Sequence, residues 1–192
     1  LKIVYFHLYW NALKAGSMMD QRVGGQGKNG DSRLQKDGIS RLASIPKTEE
    51  GAQNIHWIKQ NGKDLKFEIQ ETIMKVELAT PIKPNSSTTF TMDWDAVIPM
   101  QIRRSGRNNR EGIDMTVTQW YPKIAEYDYD GWATFDYVGR EFHTPFSDFE
   151  VNIKIDKNYV IGAGGILENP LEVKGYDEKA TIKTNDKNKA NW

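Results

Sequence analysis

The densest group of chemistry-bearing side chains occupies residues 119–132, where amide, aromatic and acidic residues surround a single proline. Asp128 and Asp130 stand two positions apart in front of Gly131, which is how a calcium-binding loop begins. Such a loop also needs a glutamate at its twelfth position, and this sequence has none there. The pattern therefore favours an acidic turn, and a weak cation site is the alternative.

Three histidines and no cysteine limit the metal and nucleophile chemistry open to the chain. His7, His56 and His143 are scattered, and none is followed by glutamate as in the zinc-binding H-E-x-x-H helix. Without cysteine there is no thiol nucleophile, no disulfide and no Cys-ligated metal site. Nucleophile-elbow, phosphate-loop and dinucleotide-binding motifs are absent as well. We expect each histidine to be an ordinary buried or surface residue, with no cofactor bound by this chain.

A basic segment at residues 103–110 carries four arginines in eight positions. Such a segment is a candidate site for nucleic acid or another anion. The whole chain, however, has 26 Lys plus Arg against 26 Asp plus Glu, a formal net charge of zero. Because that balance provides no broad basic face, we expect no nucleic-acid partner. The arginines are predicted to lie in a solvated connection and to pair with nearby carboxylates.

Short runs with a period of two dominate the 192 residues, a length typical of one domain. We predict nine strands, at residues 1–10, 54–60, 64–70, 72–80, 88–95, 115–121, 149–155, 159–163 and 180–184. The pair Asn61-Gly62 predicts a two-residue hairpin turn, because both central positions of a type I′ turn need a positive φ. The sequence thus predicts an all-β fold, a largely antiparallel β-sandwich of about eight or nine strands in one domain, residues 1–192.

The glycine-rich stretch from residue 16 to residue 51 lacks periodicity. It is predicted to be a long mobile loop, with a short helix possible within residues 16–22 or 39–44. No apolar run approaches the ~18 residues that a membrane helix needs, so we expect no membrane partner.

Several blocks of the sequence resemble the N-terminal β-domain of M1-family zinc aminopeptidases (gluzincins), bacterial branch. The longest is Thr-Gln-Trp-Tyr-Pro-Lys-Ile-Ala-Glu-Tyr-Asp-Tyr-Asp-Gly-Trp at residues 118–132. Other blocks occur in the same order as in the family, at residues 6–12, 92–99, 104–106, 139–142, 148–153, 159–162 and 168–170. The resemblance therefore covers nearly the whole chain.

This resemblance implies a saddle-shaped, largely antiparallel β-domain that docks on a catalytic domain not contained in this sequence. The chain would be a piece of a zinc-dependent aminopeptidase, shortened at both ends. It would hydrolyse nothing by itself, and the zinc would belong to the catalytic domain. An exported or periplasmic location is suggested by the bacterial branch alone.

The resemblance also implies two substrate-binding residues at the rim of the active site. In the family, the residue two positions after the glutamine of the Thr-Gln strand is often Gln or Glu and holds the substrate's free α-amine. Here these positions are Gln119 and Tyr121. A tyrosine offers a neutral oxygen or a ring face instead of a carboxylate, so the hold on an ammonium is expected to be weaker. Strand alternation predicts that Trp120, between them, faces the core.

A free-standing β-sandwich binding module for carbohydrate or protein is the alternative. Six Trp and eight Tyr could form a stacking platform for sugars. An exposed, coplanar row of aromatic rings would favour that alternative, whereas a broad exposed aromatic face would favour a docking domain.

Overall fold

The computed structural model describes residues 1–25, 32, 34–36, 39–139 and 143–176. The chain divides into two compact units, Leu1–Phe146 and Ser147–Trp192, where the sequence predicts one domain. Within the described residues the structure is all-β, as predicted, and every pairing between strands is antiparallel.

A four-stranded sheet is built around the first strand, β1 (Ile3–His7). Its other members are β6 (Lys66–Gln70), β7 (Ile73–Glu77) and β11 (Lys123–Ile124), and the strand order is β11-β1-β7-β6. The alternation predicted for residues 72–80 is confirmed, because Met74 and Val76 are fully buried while Glu77 is exposed. β1 ends at His7, and the chain turns into a short 3₁₀ helix at Tyr9–Ala12 instead of continuing as a strand to residue 10.

A three-stranded sheet is formed by β4 (Ala52–Gln60), β5 (Lys63–Asp64) and β8 (Phe90–Val97), in the order β5-β4-β8. The predicted hairpin turn is confirmed: Asn61 has φ 48° and Gly62 has φ 83°, as a type I′ turn requires. The buried Gln60 side chain links the β4–β5 hairpin to the segment that follows β7. Its amide accepts from Thr80 N–H (2.9 Å) and donates to Thr80 O (2.8 Å).

A β-bulge at His56 changes which side chains of β4 point inward. The register with β8 shifts between Ile55 and Trp57, so one residue has no opposite partner. Before the bulge the buried side chain is at an odd-numbered position, Gln53, and after it at an even-numbered position, Ile58. As a result Trp57 lies on the outer face, 38% exposed.

The described part of the stretch from residue 16 to residue 51, predicted as a mobile loop in which a short helix could lie within residues 16–22 or 39–44, contains regular structure. Its described part contains helix α1 (Met18–Gly25), the paired strands β2 (Gln35–Lys36) and β3 (Ile39–Ser40), and 3₁₀ helices at Leu42–Ser44 and Lys47–Glu49. Met19, Leu34 and Leu42 from this stretch are fully or almost fully buried. Aperiodic sequence predicts a loop, but a few spaced apolar side chains suffice to anchor it in a core.

Two buried clusters stabilise the first unit. One joins the two large sheets through apolar side chains of β1, β4 and β7 and the residue after β1, namely Val4, Phe6, Leu8, Ile58, Met74 and Val76. The other packs the 3₁₀ helix and α1 against the 34–42 stretch, through Trp10, Ala12, Leu13, Met19, Val23, Leu34, Leu42 and Ile102. Because Trp10 follows closely after the end of β1, this second cluster lies next to that end of the strand.

The later strands are shorter than predicted. β9 (Gly106–Arg107) pairs with β10 (Met115–Thr116), and β12 (Tyr127–Asp128) pairs with β13 (Gly131–Trp132). In the second unit, residues 149–155 and 159–163 form no regular strand, and one 3₁₀ helix lies at Pro170–Glu172. Those two strand predictions were wrong for this structure, since neither segment is a strand in it. Residues 180–184 lie outside the described residues.

A sandwich of eight or nine strands stays a prediction, because the two large sheets together contain seven strands and the remaining pairs are separate ribbons. Among the described helices, none has the length and apolar character needed to cross a membrane.

Two glycine variants separate backbone strain from steric clash. Gly62 and Gly106 both have positive φ, but a Cβ at Gly62 meets open space while one at Gly106 meets the Gln101 and Met100 backbone. Gly62→Ala should lower the free energy of unfolding by about 1 kcal/mol from conformation alone. Gly106→Ala should lower it by about 1–3 kcal/mol more, because backbone atoms must also move. Urea titration followed by circular dichroism measures both, and equal losses would contradict this account.

Candidate functional site

The candidate site lies where β1 ends and the chain enters the 3₁₀ helix. Tyr9 stacks flat on His7 (ring centroids 5.0 Å apart) and meets Tyr137 edge-on (5.4 Å). Burial raises the pKa of Tyr9, and the neighbouring phenols of Tyr137 and Tyr121 raise it further. Burial also raises the pKa of Tyr121. We name Tyr9, Tyr121 and Tyr137 the tyrosine cluster; the raised pKa values of Tyr9 and Tyr121 disfavour the phenolate form of both.

Gln119 lines a small cavity of about 30 Å³ with two members of the tyrosine cluster, Tyr9 and Tyr137. Its Oε1 is buried and has no hydrogen-bond partner among the described residues. Because Tyr9 borders this cavity and also interacts with Tyr121, the structure brings both predicted substrate-binding residues to one place. An unsatisfied amide oxygen is costly when buried, and an N–H donor from a ligand would satisfy it.

The predicted strand over residues 115–121 is wrong beyond Thr116, and the reason lies at Gln119. Its φ is 54°, a left-handed conformation that interrupts an extended backbone. Strand alternation therefore does not apply to Trp120, which was predicted to face the core and is instead 36% exposed. Its ring lies against Trp94 (centroids 5.6 Å apart) and edge-on to Tyr121 (5.5 Å).

A buried side-chain clamp holds residues 118–120 in place of ladder hydrogen bonds. Gln53, 2% exposed, donates from Nε2 to Trp120 O (2.7 Å) and accepts from Trp10 N–H at Oε1 (3.2 Å). Its own backbone N–H donates to Asn11 Oδ1 (2.7 Å). The clamp consists of Gln53 and Asn11, and it joins β4, the 3₁₀ helix and the site segment.

Thr118 is fixed from two further directions. Trp10 Nε1 donates to Thr118 O (2.9 Å), and Ser105 Oγ donates to the same carbonyl (2.8 Å). Ser105 Oγ also accepts from Thr118 N–H (3.2 Å). Gln119 is thus held in its left-handed conformation by anchors on both neighbours.

The side-chain ammonium of Lys123 lies over the ring of Tyr121. Lys123 Nζ lies 5.4 Å from the ring centroid, within cation–π range. Burial lowers the pKa of Lys123, so its ammonium is only partly hydrated. The geometry shows that this ring face is in contact with the ammonium of Lys123.

The arginines of residues 103–110 behave as the sequence predicts only in part. Arg107 pairs with a carboxylate, Glu49 (3.3 Å). Arg103, in contrast, donates to neutral oxygens, Tyr137 Oη (3.3 Å) and Gly139 O (2.6 Å). Arg103 therefore supports the wall of the cavity rather than an exposed basic surface.

The acidic pair forms a turn. Asp130 N–H donates to Asp128 Oδ1 (2.8 Å), and Gly131 has φ 97° at the tip of the β12–β13 hairpin. No group of three His, Asp or Glu side chains suited to a metal ion is found among the described residues. His56 contacts Asp95 (2.7 Å) and His143 approaches Glu126 (3.9 Å), both on exposed surface.

His7 is the most constrained of the histidines, 4% exposed. Burial lowers its pKa, while the Ala133 backbone and the Asp136 carboxylate pull the pKa partly back. The positive charges of His143 and Lys123 lower it a little further. Burial of the ring therefore favours the neutral form of His7.

Taken together, the site offers neutral acceptors and aromatic faces: an amide oxygen at Gln119 and the tyrosine cluster. Such groups suit recognition of an amine or amide, and they supply no nucleophile or general base of their own. Sequence reasoning missed Gln53, Tyr9 and Tyr137. The sequence does not reveal that a polar residue in a strand, such as Gln53, is buried. The bulge at His56 also changes which positions of β4 point inward, so strand alternation could not identify Gln53.

No family model, curated protein or solved structure matches this chain. The resemblance to M1 aminopeptidases therefore rests on the sequence blocks alone.

Replacing Gln53 by leucine should unfold the site segment first. The substitution leaves Trp10 N–H and Trp120 C=O without their partner, so we expect a loss of about 2–3 kcal/mol in the free energy of unfolding. Gln70→Leu, at an exposed position of β6, is the matched control and should change it by less than about 0.5 kcal/mol. Similar losses in the two variants, measured by urea titration, would rule out the clamp.

His7 should make stability depend on pH. Its folded pKa lies below the unfolded value of about 6.5, so below that pH the unfolded chain takes up a proton that the folded chain resists. Stability should therefore fall as the pH drops from about 7 towards 5, which urea titrations at a series of pH values measure. His7→Phe keeps the stacking on Tyr9 and should remove this part of the slope. An unchanged slope in His7→Phe would refute the assignment.

Proposed function

We propose that this chain is the non-catalytic N-terminal β-domain of an M1-like zinc aminopeptidase, which docks on a catalytic domain and lines the rim where the substrate's N-terminus binds. Gln119 and Tyr121 are the substrate-binding residues. The observation that carries the proposal is their convergence beside Tyr9, with one unsatisfied amide oxygen and one ring face that takes an ammonium.

The chemistry of the two groups fits a free α-amine. An α-ammonium carries three N–H donors, one of which would satisfy Gln119 Oε1. A second contact, to the ring of Tyr121, would replace the Lys123 ammonium now on it. A cation–π contact contributes about 0.5–2 kcal/mol, less than a carboxylate would, so selectivity for free amines is modest.

Exposed aromatic side chains that follow the site in the sequence support docking on a partner domain. Tyr129 is 94% and Phe135 is 83% exposed, and Tyr127 and Phe146 are exposed as well. Aromatic side chains in such number on one stretch are characteristic of a surface that another protein domain covers. These residues follow Tyr121 in the sequence, which is consistent with a substrate-binding rim that adjoins the proposed domain interface.

Zinc in this proposal belongs to the catalytic domain and would activate the water that attacks the peptide bond. In this proposal the chain itself contributes binding and orientation only. Peptide and catalytic domain are its partners.

A carbohydrate-binding module is less well supported by the rings around the site. The Trp120–Tyr121 pair is tilted by 75° and the Tyr127–Trp132 pair by 60°, so neither makes a flat platform for a sugar.

The test uses the longer protein encoded by the reading frame that contains this sequence and its downstream coding region. That protein should bind zinc and release N-terminal residues from aminoacyl-anilide substrates. Tyr121→Ala should raise KM about tenfold with little change in kcat, because the ring contributes to amine binding rather than to bond cleavage.

Tyr159→Ala, a tyrosine in the second unit, is the control and should leave KM unchanged. Tyr121→Glu should lower KM, since a carboxylate holds an ammonium more strongly. Absence of aminopeptidase activity, or equal KM values for Tyr121→Ala and its control, would overturn the proposal.

A further inference from the structure

The side chain of Lys123 is held over the ring of Tyr121 by the sheet to which it belongs. Lys123 begins β11, where it lies opposite His7 of β1. Its Nζ lies 5.4 Å from the centroid of the Tyr121 ring. Only Pro122 separates the two residues, and the fixed φ of a proline limits how far they can move apart. The position of the ammonium therefore depends on the pairing of β11 with β1.

This ammonium and this ring are both half-buried. Burial lowers the pKa of Lys123 and raises the pKa of Tyr121, so water hydrates neither group fully. A cation–π contact is stronger when the cation has lost part of its hydration. The charge of Lys123 also acts on its neighbours, because it is one of the causes that lower the pKa of His7. A second cation at this place would therefore meet a ring already in contact with a cation, together with a like charge.

The side-chain ammonium of Lys123 has the same chemistry as the free α-ammonium of a peptide. Each is a primary ammonium with three N–H donors. Under the proposed function, on which this inference rests, the α-ammonium needs the ring of Tyr121, and Lys123 already contacts that ring. A ligand that binds only the part of the population in which Lys123 has moved away has its apparent affinity reduced by that fraction.

We propose that Lys123 is a built-in competitor at the amine site and lowers the affinity of that site for a substrate's α-ammonium. The residue is neither a catalytic group nor an anchor for the substrate. It sets how tightly the site holds an amine, through its contact with Tyr121 and through its own positive charge. Replacing the ammonium by an uncharged group of similar length should therefore strengthen amine binding. Removal of a lysine with a purely structural role would weaken it instead.

Titration of the chain with L-leucinamide tests the competition. At about pH 6.5 the α-amine of this probe is mostly protonated, since such groups have pKa values of about 7.7–8.0. Lys123→Met keeps an unbranched side chain without the charge, and it should bind the probe about threefold or more tightly than the unmodified chain. Lys123→Arg keeps a cation over the ring and should bind the probe like the unmodified chain. NMR spectra of ¹³C-labelled tyrosine and lysine side chains give the dissociation constants.

The same spectra report the displacement of Lys123 directly. The resonance of its ε-CH₂ group is shifted by the ring of Tyr121 and should move towards that of a free lysine as the probe binds. Lys59→Met is the control, because Lys59 Nζ lies 5.1 Å from the ring of Trp57 in a different sheet, so its removal should leave binding unchanged. Equal affinities of Lys123→Met and the unmodified chain would overturn the competition and leave the amine site in place. Failure of both chains to bind the probe would overturn the amine site of the proposed function, and the competition with it.

Discussion

The hydrogen bonds of the buried Gln53 side chain are the constraint on which the candidate site depends. Residues 118–120 belong to no sheet ladder, so their backbone groups need partners from side chains. Gln53 supplies one to Trp120 and takes one from Trp10, which ties the segment to the second core. A buried amide that lacks one of its hydrogen bonds is energetically costly. These hydrogen bonds therefore favour a single conformation of residues 118–120.

That single conformation has a chemical consequence. With both neighbours anchored, Gln119 keeps its left-handed backbone, and its amide oxygen stays buried with no described partner. Burial raises the pKa of Tyr9 and of Tyr121, which disfavours the phenolate form of both. A pre-formed acceptor among neutral aromatic groups is suited to hold an amine, and it needs a second domain to supply any bond-breaking chemistry.

Periodicity predicted the parts of the fold that obey local rules. The Asn61-Gly62 hairpin and the buried Met74 and Val76 of β7 are where the sequence places them, because turn chemistry and strand alternation act over neighbouring residues. The same reasoning was wrong for Trp120, and in the stretch from residue 16 to residue 51 it did not predict the pairing of β2 with β3. In both places the structure depends on contacts between residues far apart in the sequence. Such contacts bury side chains of an aperiodic stretch or interrupt an apparent strand, and strand alternation does not report them.

The sequence by itself determined the all-β class, the hairpin, the types of residue at positions 119 and 121, and the strand-like pattern at residues 149–155. Only the tertiary structure decided that Tyr9 and Tyr137 join Gln119 around one cavity, and that Gln53 anchors its neighbour. The physical reason is sequence distance. Gln53 and Trp120 are 67 positions apart, and a bulge at His56 sets which face of β4 points inward, so their contact is fixed by packing rather than by any local pattern.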